Sequence, residues 1–394
     1  MRVRVKIIHL SSDKKFMPLA QSLFDEAFPG QNRYLLAKVR RGDRRHATPG
    51  PQVSHHGSRY FRSRLIGRHI AAADCVVVHS MSSRFVPALR HVRADGLVVW
   101  LSGGGDYMPL LEPHLGELLL PRTRELLRGL KGTEPLRRPH GPWTRLRTWL
   151  HARLAGGRLE RPKPPPVFAV AHRVDVFSAN PVDAVMLRDV LPSLRAALHV
   201  IPSFTVEDVF AADAQPMAGP DILLGNSANP TNNHLEALEL LRGRLPNGGR
   251  VLAPLSYGVA PPGYAQAVAD AGRNALGERF EPLTDWLPIR AYNARLARCG
   301  WVFMNHRRQQ AVGNICAALY RGASVYLRQD NPLFGFFTGL GVTLLPIDGL
   351  EADPTAPLVS LSAQQVLRNR VAIEARYGRA RVVAAIRALE NFRR

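Results

Sequence analysis

The stretch 221–234 constrains the fold most, because it combines a strand, a polar loop and the start of a helix. The apolar run 222–224 predicts a short buried strand. Gly225, Asn226 and Ser227 follow it, and a helix is predicted to open at Asn232. Such a turn presents free backbone N–H groups and the positive end of a helix dipole to an anion. We therefore interpret this stretch as an anion-binding loop.

A second element of the same kind lies further along the chain. The predicted strand 301–304 leads through a polar run into a helix near residue 311. The candidate ligands of this second loop are Arg307, Arg308, Gln310, Gly313 and Asn314. Two anion-binding loops in one half of the chain indicate a nucleotide-diphosphate site, although neither loop is a GxGxxG or a P-loop motif.

Short β-rich runs alternate with helical stretches along the whole chain, which predicts parallel sheets covered by helices on both faces. About twelve strands are predicted, too many for one such sheet. We therefore predict an α/β protein with two doubly wound, Rossmann-like domains facing across a cleft, an architecture shared by one large class of glycosyltransferases, by epimerases and by many dehydrogenases. Residues 1–204 are predicted to form the first domain and residues 205–394 the second. Among the predicted elements are a strand at 167–177 and a helix at 82–93.

The net charge of +22 is unevenly distributed. Residues 31–70 carry 10 basic and 1 acidic side chains, and residues 121–163 carry 12 basic and 3 acidic ones. Basic charge so concentrated indicates a polyanionic partner, such as anionic lipid, a pyrophosphate-bearing lipid or nucleic acid. The alternative to a polyanionic partner is a general bias towards Arg in the composition, which would produce only solvent-exposed charge.

Two helical patterns lie inside the second basic segment, at 122–130 and 143–154. In the second of them Trp143, Trp149 and Leu150 share one face, and the arginines lie off it. This composition is typical of a helix lying on an anionic bilayer, but also of a helix packed on its own domain.

The remaining bulk features exclude several classes. The chain has no apolar run of 18 residues, and the N-terminal segment alternates charged and β-branched residues, as a strand does and a signal peptide does not. Cys75, Cys299 and Cys316 lie far apart, so we predict neither disulfides nor a zinc site.

The motifs of the second half occur in one particular order. Gly225-Asn226-Ser227 is followed by Asn232-Asn-His-Leu-Glu-Ala-Leu, then by Arg308-Gln-Gln-Ala-Val-Gly-Asn314, and finally by a block ending in Asn331-Pro332. This order resembles that of the bacterial TDP-N-acetylfucosamine:lipid II N-acetylfucosaminyltransferases, glycosyltransferase family 56. The resemblance covers about residues 221–340. Trp100 with Gly105-Asp106-Tyr107 resembles a further element of that family. Gly103 stands where the family tends to have a second Trp, and residues 131–165 resemble an insertion.

The resemblance implies a GT-B fold and transfer of a 4-acetamido-4,6-dideoxyhexose from a TDP-sugar to an undecaprenyl-diphosphate-linked saccharide. It also implies a peripheral location on the cytoplasmic face of the bacterial inner membrane. A transferase with another sugar nucleotide, making lipopolysaccharide or exopolysaccharide, is the first alternative. A non-catalytic polyanion-binding protein is the second, but the basic segments lack the interleaved aromatics of single-strand binders.

Sugar transfer from a nucleotide diphosphate requires stabilisation of the departing pyrophosphate. The sequence contains no Asp-x-Asp pair to hold a divalent metal, so we predict no cofactor and no metal. Backbone N–H groups of Gly225, Asn226, Ser227 and Gly313 are the expected donors, with Arg307 or Arg308 as the cation. Gln310 and Asn314 are expected to contact phosphate or ribose. His234 is predicted either to bind the donor or to cap its helix.

A base for the acceptor hydroxyl is expected to come from the first domain. Asp106 is the first candidate, because it follows three glycines after the predicted strand 97–101. Capping of the helix that follows is its structural alternative. His9 and Asp13, near the end of the first strand, are the other candidates. Retaining chemistry would need no such base, and the stereochemistry stays open.

Overall fold

The computed structural model describes residues 6–12, 16–38, 50–131, 166–209, 215–258 and 260–392. Asp13 and the predicted helix 143–154 lie outside these ranges. Within them the chain forms two parallel β-sheets, each covered by helices, which confirms the predicted fold class.

The first sheet has seven strands in the order β3-β2-β1-β4-β5-β6-β7, all paired in parallel. Its strands are β1 (Ile7–Ser11), β2 (Asn32–Ala37), β3 (Val53–His56), β4 (Cys75–His79), β5 (Leu97–Leu101), β6 (Val176–Ser178) and β7 (Ala197–Leu198). The helices of this half are α1 (Met17–Ala27), α2 (Arg64–Ala71), α3 (Val86–Leu89), α4 (Met108–Leu111), α5 (Pro121–Lys131) and α6 (Pro181–Val190). The short helix α7 (Val206–Val209) follows the first sheet in sequence and packs on the second domain.

The second sheet has six parallel strands in the order β10-β9-β8-β11-β12-β13. They are β8 (Asp221–Leu224), β9 (Val251–Pro254), β10 (Phe280–Leu283), β11 (Cys299–Met304), β12 (Ser324–Leu327) and β13 (Leu345–Pro346). The helices are α8 (His234–Leu241), α9 (Tyr264–Leu276), α10 (Ile289–Ala297), α11 (Val312–Tyr320), α12 (Pro332–Gly339), α13 (Ile347–Ala352), α14 (Ala363–Tyr377) and α15 (Arg379–Arg387).

Central strands of both sheets are buried on both faces. All residues of β1, β4 and β8 are buried, and β4 contains three consecutive valines. Strands that are buried on both faces and mostly apolar, without a strict alternation of polar residues, are typical of a helix-covered parallel sheet. Each fully buried Val or Leu contributes about 1.5–3 kcal/mol from removal of its side chain from water.

Both sheets reverse their strand order next to their first strand, between β1 and β4 and between β8 and β11. Ligands of doubly wound sheets bind beyond the carboxyl ends of the strands at such a switch point. The two predicted anion-binding loops follow β8 and β11, so they emerge side by side at the switch point of the second sheet.

Two helices cross between the halves of the chain. Helix α5 packs on the second sheet, where Leu127 joins a buried cluster with Leu238 and Tyr264. Helix α15 returns to the first sheet, where Val382 and Ile386 pack against Phe24 of α1. The boundary predicted at 204/205 separates the two sheets in sequence. Helices α5 and α15, however, each pack on the sheet of the other half.

Helix α5 contains the first of the two helical patterns in the basic segment 121–163. Its apolar residues Leu126, Leu127 and Leu130 pack into the core of the second domain. Thr123 donates from both its backbone N–H and its hydroxyl to Glu236, at 2.9 and 2.6 Å. Of the two helical patterns in the basic segment, this one is therefore packed on the protein. Within the described ranges no helix is long and apolar enough to span a membrane.

Several predicted elements differ locally. The strand predicted at 167–177 is mostly two short 3-10 helices (Pro166–Ala169 and Ala171–Arg173), and only β6 is extended. The helix predicted at 82–93 shortens to α3. Strand β3 and helix α2 were missed, because their polar sequences carry no continuous apolar run.

Candidate functional site

The Gly225 loop has a backbone conformation that favours glycine. Gly225 has φ of +67° and donates its N–H to Phe303 O at 2.9 Å. A Cβ at this position would lie 3.2 Å from Asn232 and from His234 Nε2. The prediction that Gly225 donates its N–H to a phosphate is therefore wrong, because that N–H joins β8 to β11. Among the described residues, the N–H groups of Asn226 and Ser227 form no hydrogen bond.

Two buried polar residues support this loop from below. Asn232 donates its side-chain amide to Ser227 O at 2.9 Å and to Asn229 O at 3.1 Å. His234 is fully buried, with Nδ1 3.0 Å from Tyr264 Oη. Burial lowers the pKa of His234 to about 4, so the ring is neutral at pH 7. The structure thus places His234 beneath the loop, in a position to support it.

Gln310 joins the two anion-binding loops. Its Nε2 donates to Asn226 Oδ1 at 2.8 Å and to Asn232 Oδ1 at 3.2 Å, and its Oε1 accepts from the Thr231 hydroxyl at 2.6 Å. Gln310 is 9% exposed. With its amide so engaged, it fixes the spacing of the loops that follow β8 and β11.

The N-terminus of α11 faces the same end of the sheet. Ala311 precedes the helix with φ of +59°, and the first intrahelical bond runs from Ile315 N to Ala311 O at 2.9 Å. The N–H groups of Gly313 and Asn314 belong to the first turn, which has no earlier helical partner. Helix N-termini of this kind attract anions through the helix dipole.

The two neighbouring arginines have different environments. Arg307 Nε donates to Asp330 at 2.7 Å, and its Nη1 donates to Glu117 O at 2.8 Å. Arg308 Nη1 donates to Gln309 O at 3.0 Å, and its buried Nε has no partner. No carboxylate in the described part of the chain forms an ion pair with Arg308. The available cation of this loop is therefore Arg308.

First-domain groups that the sequence did not single out face Arg308. Burial lowers the pKa of Arg308, and Glu112, Asp183 and Tyr107 oppose that shift electrostatically. The Tyr107 hydroxyl donates to Asp183 Oδ2 at 2.6 Å. Asp183 lies in the first turn of α6, just after β6 ends. Asp183 follows strand β6 and the Asn180-Pro181 pair that starts a helix, and this pattern in the sequence could have identified it.

His9 is an interior residue of the first sheet. Its Nδ1 lies 2.9 Å from His79 Nε2, and its Nε2 lies 3.0 Å from Asn32 Oδ1. The ring stacks on Tyr34 with centroids 4.4 Å apart. Burial, with a smaller contribution from His79, holds the pKa of His9 well below its usual range. The structure therefore places His9 within the sheet, with both ring nitrogens occupied.

Asp106 lies at the carboxyl end of β5 and accepts three hydrogen bonds. Met81 N and Trp100 Nε1 donate to Oδ2, each at 2.7 Å, and Gly103 N donates to Oδ1 at 3.0 Å. Burial raises the pKa of Asp106, and the three donors oppose that shift. The carboxylate thus joins the loops after β4 and β5. It does not cap α4, whose N-cap is Tyr107 with no side-chain bond.

Gly103 lies close to Ser80, across the loops that follow β5 and β4. A Cβ at Gly103 would lie 2.0 Å from Ser80 Oγ. Ser80 itself has φ of +59°. A side chain at position 103 would therefore require at least the Ser80 hydroxyl to move.

Within the described ranges, no group of three or more His, Cys, Asp or Glu side chains is arranged to hold a metal ion. The three cysteines are buried and free. Metal independence of the reaction stays a prediction.

Several solved structures share the overall fold. Sucrose-phosphate synthase from Thermosynechococcus elongatus is 12% identical, with a TM-score of 0.60 and 98% of each chain covered. The trehalose-6-phosphate phosphatase N-terminal domain from Candida albicans is 8% identical, with a TM-score of 0.61 over 99% of this chain and 97% of that chain. HepE from Anabaena, solved with UDP and glucose, is 12% identical, with a TM-score of 0.51 over 99% of this chain and 95% of that chain. These similarities show the GT-B fold.

A family model identifies the second half more closely. Residues 178–355 match the model described as 4-alpha-L-fucosyltransferase, glycosyl transferase group 56. The match includes β8, β11, α11 and the loops between them, which are the elements that carry the resemblance in sequence. Over these residues the chain is similar to glycosyl transferase group 56, and the protein is a glycosyltransferase with a GT-B fold.

Proposed function

We propose that this protein transfers a 4-acetamido-4,6-dideoxyhexose from a TDP-sugar to an undecaprenyl-diphosphate-linked saccharide. The observation that supports it most is the placement of Arg308. This cation has no ion-pair partner among the described residues, and it belongs to the loop after β11, which Gln310 joins to the loop after β8. A diphosphate is the dianionic group that this combination of cation and helix N-terminus would stabilise.

In this proposal the diphosphate lies between the Asn226–Ser227 backbone and the first turn of α11. The nucleobase lies in the adjoining surface pocket beyond β9 and β10, where Tyr257 and Thr284 are among the lining residues. Tyr257 is hydrogen-bonded to Asn226 and is 48% exposed, so its ring is available for stacking. The UDP and glucose bound to HepE are consistent with a nucleotide-sugar donor in this fold.

Isothermal titration with TDP, UDP and GDP tests the donor. We expect TDP to bind, and Arg308→Ala to lower its affinity by about 10- to 100-fold through loss of charge-assisted hydrogen bonds. Arg368→Ala, an exposed arginine on α14, is the matched control and should bind TDP as the wild type does. Tighter binding of UDP or GDP would favour a different sugar nucleotide. Absence of binding by all three would contradict the proposal.

We also propose that the protein attaches peripherally to the cytoplasmic face of an anionic membrane. The basic segments 31–70 and 121–163 support this, since each nearby Lys or Arg contributes about 1 kcal/mol at an anionic surface, from electrostatic attraction that salt screens. The protein should sediment with vesicles containing anionic lipid and be released by salt. Equal binding to neutral vesicles, or binding to neither, would contradict membrane attachment without affecting the donor proposal.

A further inference from the structure

Asp183 is placed at the junction of the two domains. Strand β6 ends at Ser178, and the Asn180 side chain accepts from Val182 N at 3.1 Å to start α6. This start brings Asp183 into the first turn of the helix, at the carboxyl edge of the first sheet. Helix α6 also packs against α12 of the second domain. Asp183 therefore lies where groups of both domains meet.

A single hydroxyl holds the Asp183 carboxylate. Tyr107 donates to Oδ2 at 2.6 Å, and within the described ranges no other side chain donates to Asp183. Both residues are buried, at 2% exposure for Tyr107 and 4% for Asp183. This contrasts with Asp106, where three donors engage both oxygens. Of these two buried carboxylates, Asp183 is the one that retains an uncommitted oxygen.

The charged and titratable groups around this pair come from several elements. Tyr107 precedes α4, Glu112 follows it, and Asp106 acts electrostatically on Tyr107. Arg308 faces the pair from the loop after β11, and α12 contributes no charged residue. Burial raises the pKa of Asp183 to about 6, while the Tyr107 hydrogen bond and Arg308 oppose the shift. A carboxylate of this basicity can accept a proton near neutral pH.

We propose that Asp183 accepts the proton of the attacking hydroxyl of the acceptor, with Tyr107 as its positioning residue. The inference rests on the proposed transferase function. The acceptor oxygen forms a bond to the anomeric carbon of the donor sugar, and the bond from that carbon to the diphosphate oxygen breaks. The bonding pair stays on the diphosphate, which faces Arg308, and the hydroxyl proton moves to Asp183. Asp183 of the first domain thus receives the proton, and Arg308 of the second domain faces the negative charge that builds on the diphosphate.

The test compares Asp183→Asn with Asp189→Asn, an exposed residue of the same helix. TDP release is measured with TDP-4-acetamido-4,6-dideoxygalactose and an undecaprenyl-diphosphate-linked disaccharide. Asp183→Asn keeps an acceptor for the Tyr107 hydroxyl, so the fold should be retained. We expect its kcat to fall by about 10²- to 10⁴-fold, with TDP affinity unchanged. Asp189→Asn should match the wild type.

The pH profile separates a proton acceptor from a structural carboxylate. Wild-type kcat/KM should rise with pH through about 6 and level off above it, because the carboxylate acts only when deprotonated. Tyr107→Phe removes a hydrogen bond that lowers the pKa of Asp183, so the rising limb should move to higher pH. A structural role would leave that limb in place.

The outcomes distinguish the two proposals. If the wild type binds TDP and transfers sugar but Asp183→Asn is equally active, Asp183 is not the proton acceptor and the transferase proposal stands. If Asp183→Asn loses TDP binding or melts early, its role is structural and the inference is overturned. If the wild type neither binds TDP nor transfers this sugar, the proposed function fails, and this inference fails with it.

Discussion

Replacement of Asp106 should reveal a structural role that the sequence alone did not indicate. Asp106→Ala leaves Met81 N and Trp100 Nε1 without their acceptor, and both residues are almost fully buried. An unsatisfied buried donor costs about 1–3 kcal/mol, so the pair amounts to about 2–6 kcal/mol. Burial raises the pKa of Asp106, which means that burying its charge is unfavourable. Removal of that buried charge in Asp106→Ala therefore offsets part of this cost. We expect a net loss of about 2–4 kcal/mol in the free energy of unfolding.

Urea denaturation of Asp106→Ala, beside the exposed control Asp189→Ala, measures this loss. The control should stay within about 0.5 kcal/mol of the wild type. Asp106→Asn should lose less, since its single oxygen can still accept from Met81 and Trp100. If Asp106→Ala and the control unfold alike, and Asp106→Ala loses turnover at unchanged TDP affinity, the carboxylate is the catalytic base and the structural argument is wrong.

Two further predictions concern the donor loops and the absence of a metal requirement. Ala311 has φ of +59°, and the relief of left-handed strain on replacing it with glycine exceeds the entropic cost of glycine. Ala311→Gly should therefore raise the free energy of unfolding by about 0.5–1 kcal/mol, and an unchanged or lower value in urea denaturation would contradict the strain. Chelation with EDTA should leave sugar transfer unchanged, whereas loss of activity that Mg²⁺ or Mn²⁺ restores would contradict metal independence.

The sequence predicted the architecture because the relevant signals are local. Alternating strands and helices lead to parallel sheets, and the loops after β8 and β11 meet because parallel strands end at one edge. Apolar runs located the central strands, whereas the polar strand β3 and helix α2 could not be recognised in this way.

The details of the site depend on tertiary contacts that no local pattern encodes. The pairing of Arg307 with Asp330 leaves Arg308 as the available cation, and the two arginines are adjacent and chemically alike in sequence. The packing of α5 on the second domain depends on Glu236, which is 113 residues from Thr123. Likewise, Asp106 was singled out for its position after glycines, but its three donors come from strand β5 and from two separate loops.

A crystal structure with TDP tests the central claim most directly, since that claim concerns where the donor diphosphate binds. The account predicts density for the diphosphate between the Asn226–Ser227 backbone and the first turn of α11, with the Arg308 guanidinium in contact with it. The base should occupy the pocket beside Tyr257 and Thr284. A diphosphate bound elsewhere, with Arg308 still directed at Tyr107 and Asp183, would contradict the account.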